Sequence, residues 1–203
     1  QLARRLEGKY RGSDAVVLAI PRGGVVVADE VAKALGLQLD IVIPRKIGAP
    51  GNPELAIGAV AMGESIINEP LVRELGIPRE YIESEISRQL EEISRRRKLY
   101  LGDRAPIPLQ GRIAIVIDDG LATGYTALAA IHAIKRQNPK KIVLAVPVAP
   151  SDTCARLAQE VDELICLEVH ELFFAVGQFY EVFDQVTDSE VIEILSRYRS
   201  AAS

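Results

Sequence analysis

The chain has 203 residues, 48% hydrophobic and 26% charged, which suits one compact domain with a sizeable core. Its formal net charge of −4 argues against general attraction to nucleic acid or an anionic membrane, though a local basic pocket is compatible with it. Cys154 and Cys166 have neither metal spacing nor a disulfide pattern and read as small apolar residues; with no signal peptide and no apolar run of membrane-spanning length, a cytoplasmic enzyme is expected.

The chain opens on Gln1 rather than Met, leaving room for a few native residues before it. Residues 15–20 (AVVLAI) form an apolar run ending at Pro21, as in a strand buried on both faces. Gly23 and Gly24 precede a helical stretch from Val25 to Leu35, stopped by Gly36. Leu39 to Ile43 reads as the next strand. Pro44 to Asn52, with two prolines, two glycines and the pair Arg45-Lys46, reads as an exposed loop. Ile57–Ala61 and Ser65–Asn68 form a hairpin pattern. Ile82, Ile86, Leu90 and Ile93 mark an amphipathic helix over about 79–99. It interrupts the α/β alternation and is expected to pack on the core or on a second subunit. Ile113–Ile117 is a strand, followed by a glycine loop and an alanine-rich helix over about 126–137. Ile142–Val148 and Leu164–Val169 are further strands, with a helix between them capped by Ser151 and running to about Glu160. Thr187-x-x-Glu190 is a capping box before a short terminal helix to about Arg199. This alternation predicts an α/β fold with a mainly parallel sheet flanked by helices, and ligands at the carboxyl ends of its strands.

Residues 115–126 read IVIDDGLATGYT. An apolar strand delivers two adjacent carboxylates, Asp118 and Asp119, and a loop with Gly120, Gly124, Thr123 and Thr126 opens a helix. Loop amides and a helix N-terminus suit a phosphate monoester, the glycines permit close backbone approach, and the hydroxyls add hydrogen bonds. The carboxylates can accept from ribose hydroxyls. The turn Pro21-Arg22-Gly23-Gly24 offers exposed amides and a guanidinium to an anion, and also reads as an ordinary strand-to-helix turn. Neither a Walker A sequence nor G-x-S-x-G occurs, which counts against a P-loop kinase or an α/β-hydrolase.

Four apolar residues, two acids and a loop ending in Thr-Gly-x-Thr resemble the 5-phosphoribosyl-1-pyrophosphate (PRPP) motif of the type I phosphoribosyltransferases. Together with residues 45–54 (RKIGAPGNPE), the chain looks most like an uncharacterised microbial group described as predicted phosphoribosyltransferases. The resemblance covers nearly the whole chain. It implies a Rossmann-like fold in one domain over 1–203, with a core at about 10–69 and 106–169, a helical insertion at about 70–105 and a small C-terminal hood at about 168–187. It implies Asp118 and Asp119 on the ribose hydroxyls, and Gly120, Leu121, Ala122, Thr123, Gly124, Tyr125 and Thr126 on the 5-phosphate. Arg22, Gly23 and Gly24 fall on the pyrophosphate, in a loop that in this family often holds a cis peptide. Lys46 or Arg45, in a closing lid, would neutralise the departing pyrophosphate. Mg²⁺ is implied as cofactor, held mainly through PRPP and by Asp118 and Asp119. A homodimer is expected, with a nucleobase as acceptor.

Phe173, Phe174, Phe179, Tyr180 and Phe183 crowd the hood. Phe173 or Phe174 is favoured to stack on the base, with packing of a small hood core as the alternative. His170 and His132 read as structural. Residues 95–98 (RRRK) suit a helix C-terminus, and an alternative takes one of them into a partner subunit's active site. Ala122 stands where hypoxanthine-guanine enzymes carry an aspartate, which weakens a 6-oxopurine assignment. The competing function is a PRPP-binding sensor on the same fold, without turnover.

Overall fold

In a computed structural model, which describes residues 1–198, the chain runs α1 (Leu2–Tyr10), β1 (Val16–Ala19), α2 (Gly23–Leu35), β2 (Gln38–Ile41), β3 (Arg45–Ala49), β4 (Asn52–Ala61), β5 (Glu64–Ile67), α3 (Glu69–Glu74), α4 (Arg79–Leu101), β6 (Ile113–Ile117), α5 (Tyr125–Lys135), β7 (Lys141–Pro150), α6 (Ser151–Ala158), β8 (Glu163–His170), a 3₁₀ turn (Val176–Phe179) and α7 (Asp188–Ser196). The apolar runs become five parallel strands in the order β2-β1-β6-β7-β8. Successive side chains of β6 serve opposite faces: Ile115 and Ile117 join Leu6, Leu35 and Leu195, whereas Ala114 and Val116 join Ile131, Ile134 and Leu157. Burying each large side chain contributes roughly 1.5–3 kcal/mol, and both faces are covered, so the expected α/β layering is the observed one. No helix among the described residues is long and apolar enough to cross a membrane.

A second sheet, β3-β4-β5, is antiparallel. The expected exposed loop at Pro44–Asn52 is here corrected: Arg45–Ala49 pairs with β4, and Ile47 and Ala49 are buried against Ile57, Val72 and Ile82. Alternation of Ile47 and Ala49 supplies the apolar face. Gly48 lets Pro53 approach so closely that a Cβ would lie 2.6 Å from its backbone. Lys46, the turn and the first residues of β4 are exposed. The hairpin β4–β5 turns at Met62 and Gly63, both at positive φ, a combination that matches strand twist.

The α1 helix was not anticipated, although Leu2, Leu6 and Tyr10 recur at i, i+4, i+8 and are buried. Pro150, not Ser151, is the N-cap of α6, because β7 runs straight into the helix. The Thr187 capping box forms as expected, with Thr187 accepting from the Glu190 amide. The described α7 ends at Ser196, and Arg199 lies outside the described residues.

Candidate functional site

The carboxyl ends of β1 and β6 carry two loops side by side, and β7 beside them runs directly into α6. Asp118 and Asp119 leave β6, and the Asp119 amide donates to Asp118 Oδ1 at 2.8 Å. Gly23 opens α2 directly against them: a Cβ there would lie 2.0 Å from Asp119 Oδ2. At Gly24 it would lie 2.9 Å from the Ile117 carbonyl and 3.1 Å from Asp118 Cα. The two glycines therefore bring the start of α2 onto the acid pair, with Arg22 one residue earlier. The Pro21–Arg22 peptide is cis, as the resemblance implies for this loop.

Burial holds the Asp118 carboxyl well above its ordinary range, and the neighbouring Asp119 adds to this. Burial also raises Asp119. Two acids that ionise with difficulty side by side form a site that gains from a cation or from hydroxyl donors.

The loop after the acids is braced from outside the motif. Gly120 packs under Val176 and Val148, and the Leu121 amide donates to the Val148 carbonyl at 3.0 Å. From α6, Thr153 Oγ1 donates to the Ala122 carbonyl at 2.8 Å, and Arg156 donates to the Thr123 carbonyl. Gly124 is at φ 76°, and a Cβ there would strike Thr153. The Arg156 guanidinium lies 5.2 Å from the Tyr125 ring centroid, and Asn68 Nδ2 donates to the Tyr125 hydroxyl at 3.2 Å. Thr126 lies in the first turn of α5, so the loop leads into a helix N-terminus. Sequence reasoning missed Thr153 and Arg156; their one signal was position, since they begin the helix after the next parallel strand.

The hood closes one side. Tyr180 donates to the Asp119 carbonyl at 2.5 Å, and burial, then the charges of Asp119 and Asp118, raises its phenol and keeps it a neutral donor. Beside it a cavity of about 390 Å³ is walled by Arg22, Gly23, Val26, Asp119, Val182 and Phe183 among others. The hood aromatics lining it are Tyr180 and Phe183, not Phe173 or Phe174. Phe173 stacks on Phe179 at 5.0 Å, and Phe179 on His170 at 4.3 Å, so Phe173 belongs to a small hood stack. Phe174 is 88% exposed. The Glu160 carboxylate accepts from His132 Nε2 at 3.1 Å, near the C-terminal end of α5.

Arg45 and Lys46 sit at the start of β3. Lys46 pairs with Glu54 at 2.8 Å, and Arg45 Nε donates to the buried Gln89 at 2.9 Å. Arg22 lies 3.7 Å from Asp188, which accepts from the Tyr100 hydroxyl at 2.7 Å.

A family model described as "Phosphoribosyl transferase domain" matches residues 1–183. Two proteins of Mycobacterium tuberculosis, from strains CDC 1551 / Oshkosh and H37Rv, are each named "Putative phosphoribosyl transferase" and are 46% identical over 198 residues. The match covers 97% of this chain and 44% of theirs, so the chain spans less than half the length of these curated relatives. The crystal structure of TT1426 from Thermus thermophilus is similar at 41% identity and a TM-score of 0.81, over 97% of this chain and 93% of that one. A purine phosphoribosyltransferase from Pyrococcus horikoshii Ot3 shares the fold alone, at 16% identity and a TM-score of 0.50, over 91% and 88% of the two chains.

Proposed function

The chain belongs to the phosphoribosyl transferase domain family, and from that premise we propose that it transfers the 5-phosphoribosyl group of PRPP to a ring nitrogen of a nucleobase, releasing pyrophosphate. What supports the reading is the contact of the Gly23 turn with the Asp119 carboxylate, because it sets three partial sites edge to edge. The amides and hydroxyls of Gly120 to Thr126 receive the 5-phosphate. Asp118 and Asp119 accept from the ribose hydroxyls. Arg22 and the amides of Gly23 and Gly24 receive the pyrophosphate, with Arg45 and Lys46 on its outer side. The C1–O bond breaks, pyrophosphate leaves with the electron pair, and the nitrogen attacks C1 and sheds its proton. These residues orient the reactants and balance charge; none forms a covalent intermediate.

The donor set fits a hard divalent cation. Asp118 and Asp119 are adjacent, partly buried carboxylates, and no group of three or more metal-ligating side chains gathers among the described residues. A Mg²⁺ ion would therefore draw on these two and on the oxygens of PRPP. When bound, it supplies neutralisation of the departing pyrophosphate. The apolar walls Val26, Val182 and Phe183 suit a flat unsaturated ring, with Phe183 and Tyr180 as the aromatic faces beside it. The lid of this proposal is the β3–β4 hairpin tip, and the working unit is a homodimer, which sedimentation measures.

The test is pyrophosphate release from PRPP and Mg²⁺ across a panel of free nucleobases. Release with one base and not others is expected. Tight PRPP binding with no release from any base would replace the transferase reading with that of a PRPP sensor.

A further inference from the structure

The insertion helix α4 runs past both basic loops. Gln89, Ile93, Arg96 and Tyr100 fall at i, i+4, i+7 and i+11, on one face. At one end of this face Gln89 holds Arg45. At the other, Tyr100 binds Asp188, which faces Arg22. The helical rise puts Arg96 about 10 Å from Gln89 and about 6 Å from Tyr100 along the axis, between the two. The strand ends agree with this convergence. The Val42 amide bonds the Ala19 carbonyl at 3.0 Å, and Arg45 and Arg22 each follow three residues later.

Of the three guanidiniums in this corner, Arg96 pairs with Glu92 and Arg22 faces Asp188, whereas Arg45 is held by an amide. Arg45 is partly buried, yet among the described residues no carboxylate lies within ion-pair distance of it. Burial, and next the charge of Arg96, hold its guanidinium below its ordinary value, with Glu92 opposing. Arg96 itself is 30% exposed and bonded to Glu92 at 2.7 Å. A partly buried cation facing another cation, with only a neutral amide as partner, is a place where an anion gains on entry.

We propose that α4 supplies Arg96 as a third guanidinium, with Arg22 and Arg45, to a polyphosphate subsite, and that Gln89 and the Tyr100–Asp188 pair are positioning residues for the other two. This rests on the transferase reading and extends it: the helix outside the α/β alternation completes the pyrophosphate end of the site within the same chain, not in a partner subunit. The subsite takes a diphosphate or the diphosphate end of a phosphosugar.

Calorimetry with Mg²⁺ and inorganic pyrophosphate, PRPP or ribose 5-phosphate tests it. Arg96→Ala should weaken pyrophosphate and PRPP at least about tenfold and leave ribose 5-phosphate unchanged. Arg96→Lys, which keeps charge without the fork, should fall between. The helix tolerates both substitutions, and ribose 5-phosphate affinity reports an intact core. Unchanged pyrophosphate affinity in Arg96→Ala, or equal losses for PRPP and ribose 5-phosphate, would overturn the proposal. If Arg96→Ala weakens pyrophosphate while the unsubstituted chain binds PRPP no better than ribose 5-phosphate, the anion subsite stands and the transferase reading falls.

Discussion

Adding a single methyl group at position 23 should cost ligand binding and spare the fold. Gly23 is the first residue of α2 and has no left-handed φ, so its backbone accepts alanine, and helix propensity favours the change by up to about 1 kcal/mol. The new Cβ would lie 2.0 Å from Asp119 Oδ2, where ordinary contact starts at 3.4 Å. The carboxylate must retreat by about 1.4 Å, more than the roughly 0.5 Å width of the hydrogen-bond window. A bond from a ribose hydroxyl to that charged oxygen is then lost, about 1.5–3 kcal/mol, or roughly 10- to 150-fold in PRPP affinity. Gly24→Ala makes the contrast. Its Cβ meets the Ile117 carbonyl and Asp118 Cα, which are backbone and cannot swing aside, so an overpacking cost of about 1–3 kcal/mol falls on stability. Calorimetric titration with PRPP and thermal denaturation of both variants measure the two effects. Gly23→Ala with undiminished PRPP affinity, or with a larger loss of melting temperature than Gly24→Ala, would refute the reasoning.

Asp118→Asn should abolish Mg²⁺-dependent PRPP binding and raise the melting temperature at neutral pH. The folded carboxyl lies above its unfolded value, so stability falls as pH rises from about 4 through the raised value; the variant's advantage should vanish as pH drops toward about 4. An unchanged melting temperature between pH 6 and 8 would contradict the burial argument. Thr153→Val removes the brace on the Ala122 carbonyl and should weaken ribose 5-phosphate several-fold, at roughly 1 kcal/mol, with PRPP losing by the same factor. Far from the site, bonds from Lys141, Lys9 and Tyr10 pull the Glu163 carboxyl down to about 2. Its contribution is present above the unfolded value and is lost as pH falls from about 4.5 to about 2, so Glu163→Gln should cost about 1 kcal/mol at pH 7, discounted for the exposed lysines, and nothing at pH 2. Urea unfolding of the two chains at both pH values measures it.

Much of this protein is local, and local features are legible in a sequence. An apolar run, two acids, glycines and hydroxyls in one register specify strand β6, the turn and the start of α5, because each step depends on neighbours a few residues away. The same holds for α2 with its Gly36 stop, for the stripe of α4 and for the Thr187 cap. The segment at Arg45–Ala49 was misjudged for the converse reason. Its prolines, glycines and charges match a loop, but its structure depends on pairing with β4 and on burying Ile47 beside Val72 and Ile82, contacts formed only after the chain returns. Tertiary structure alone brought Gly23 against Asp119, Thr153 and Arg156 under the loop, and Tyr180 over the acid pair. It also ran α4 from Arg45, held by Gln89, to the Tyr100–Asp188 pair facing Arg22, whereas in sequence residues 95–98 read as a basic helix end or, alternatively, as a group for a partner subunit's active site. Composition and periodicity determine which face of an element is apolar; which charged groups meet across elements depends on the packing of those faces, and that is where this site is made.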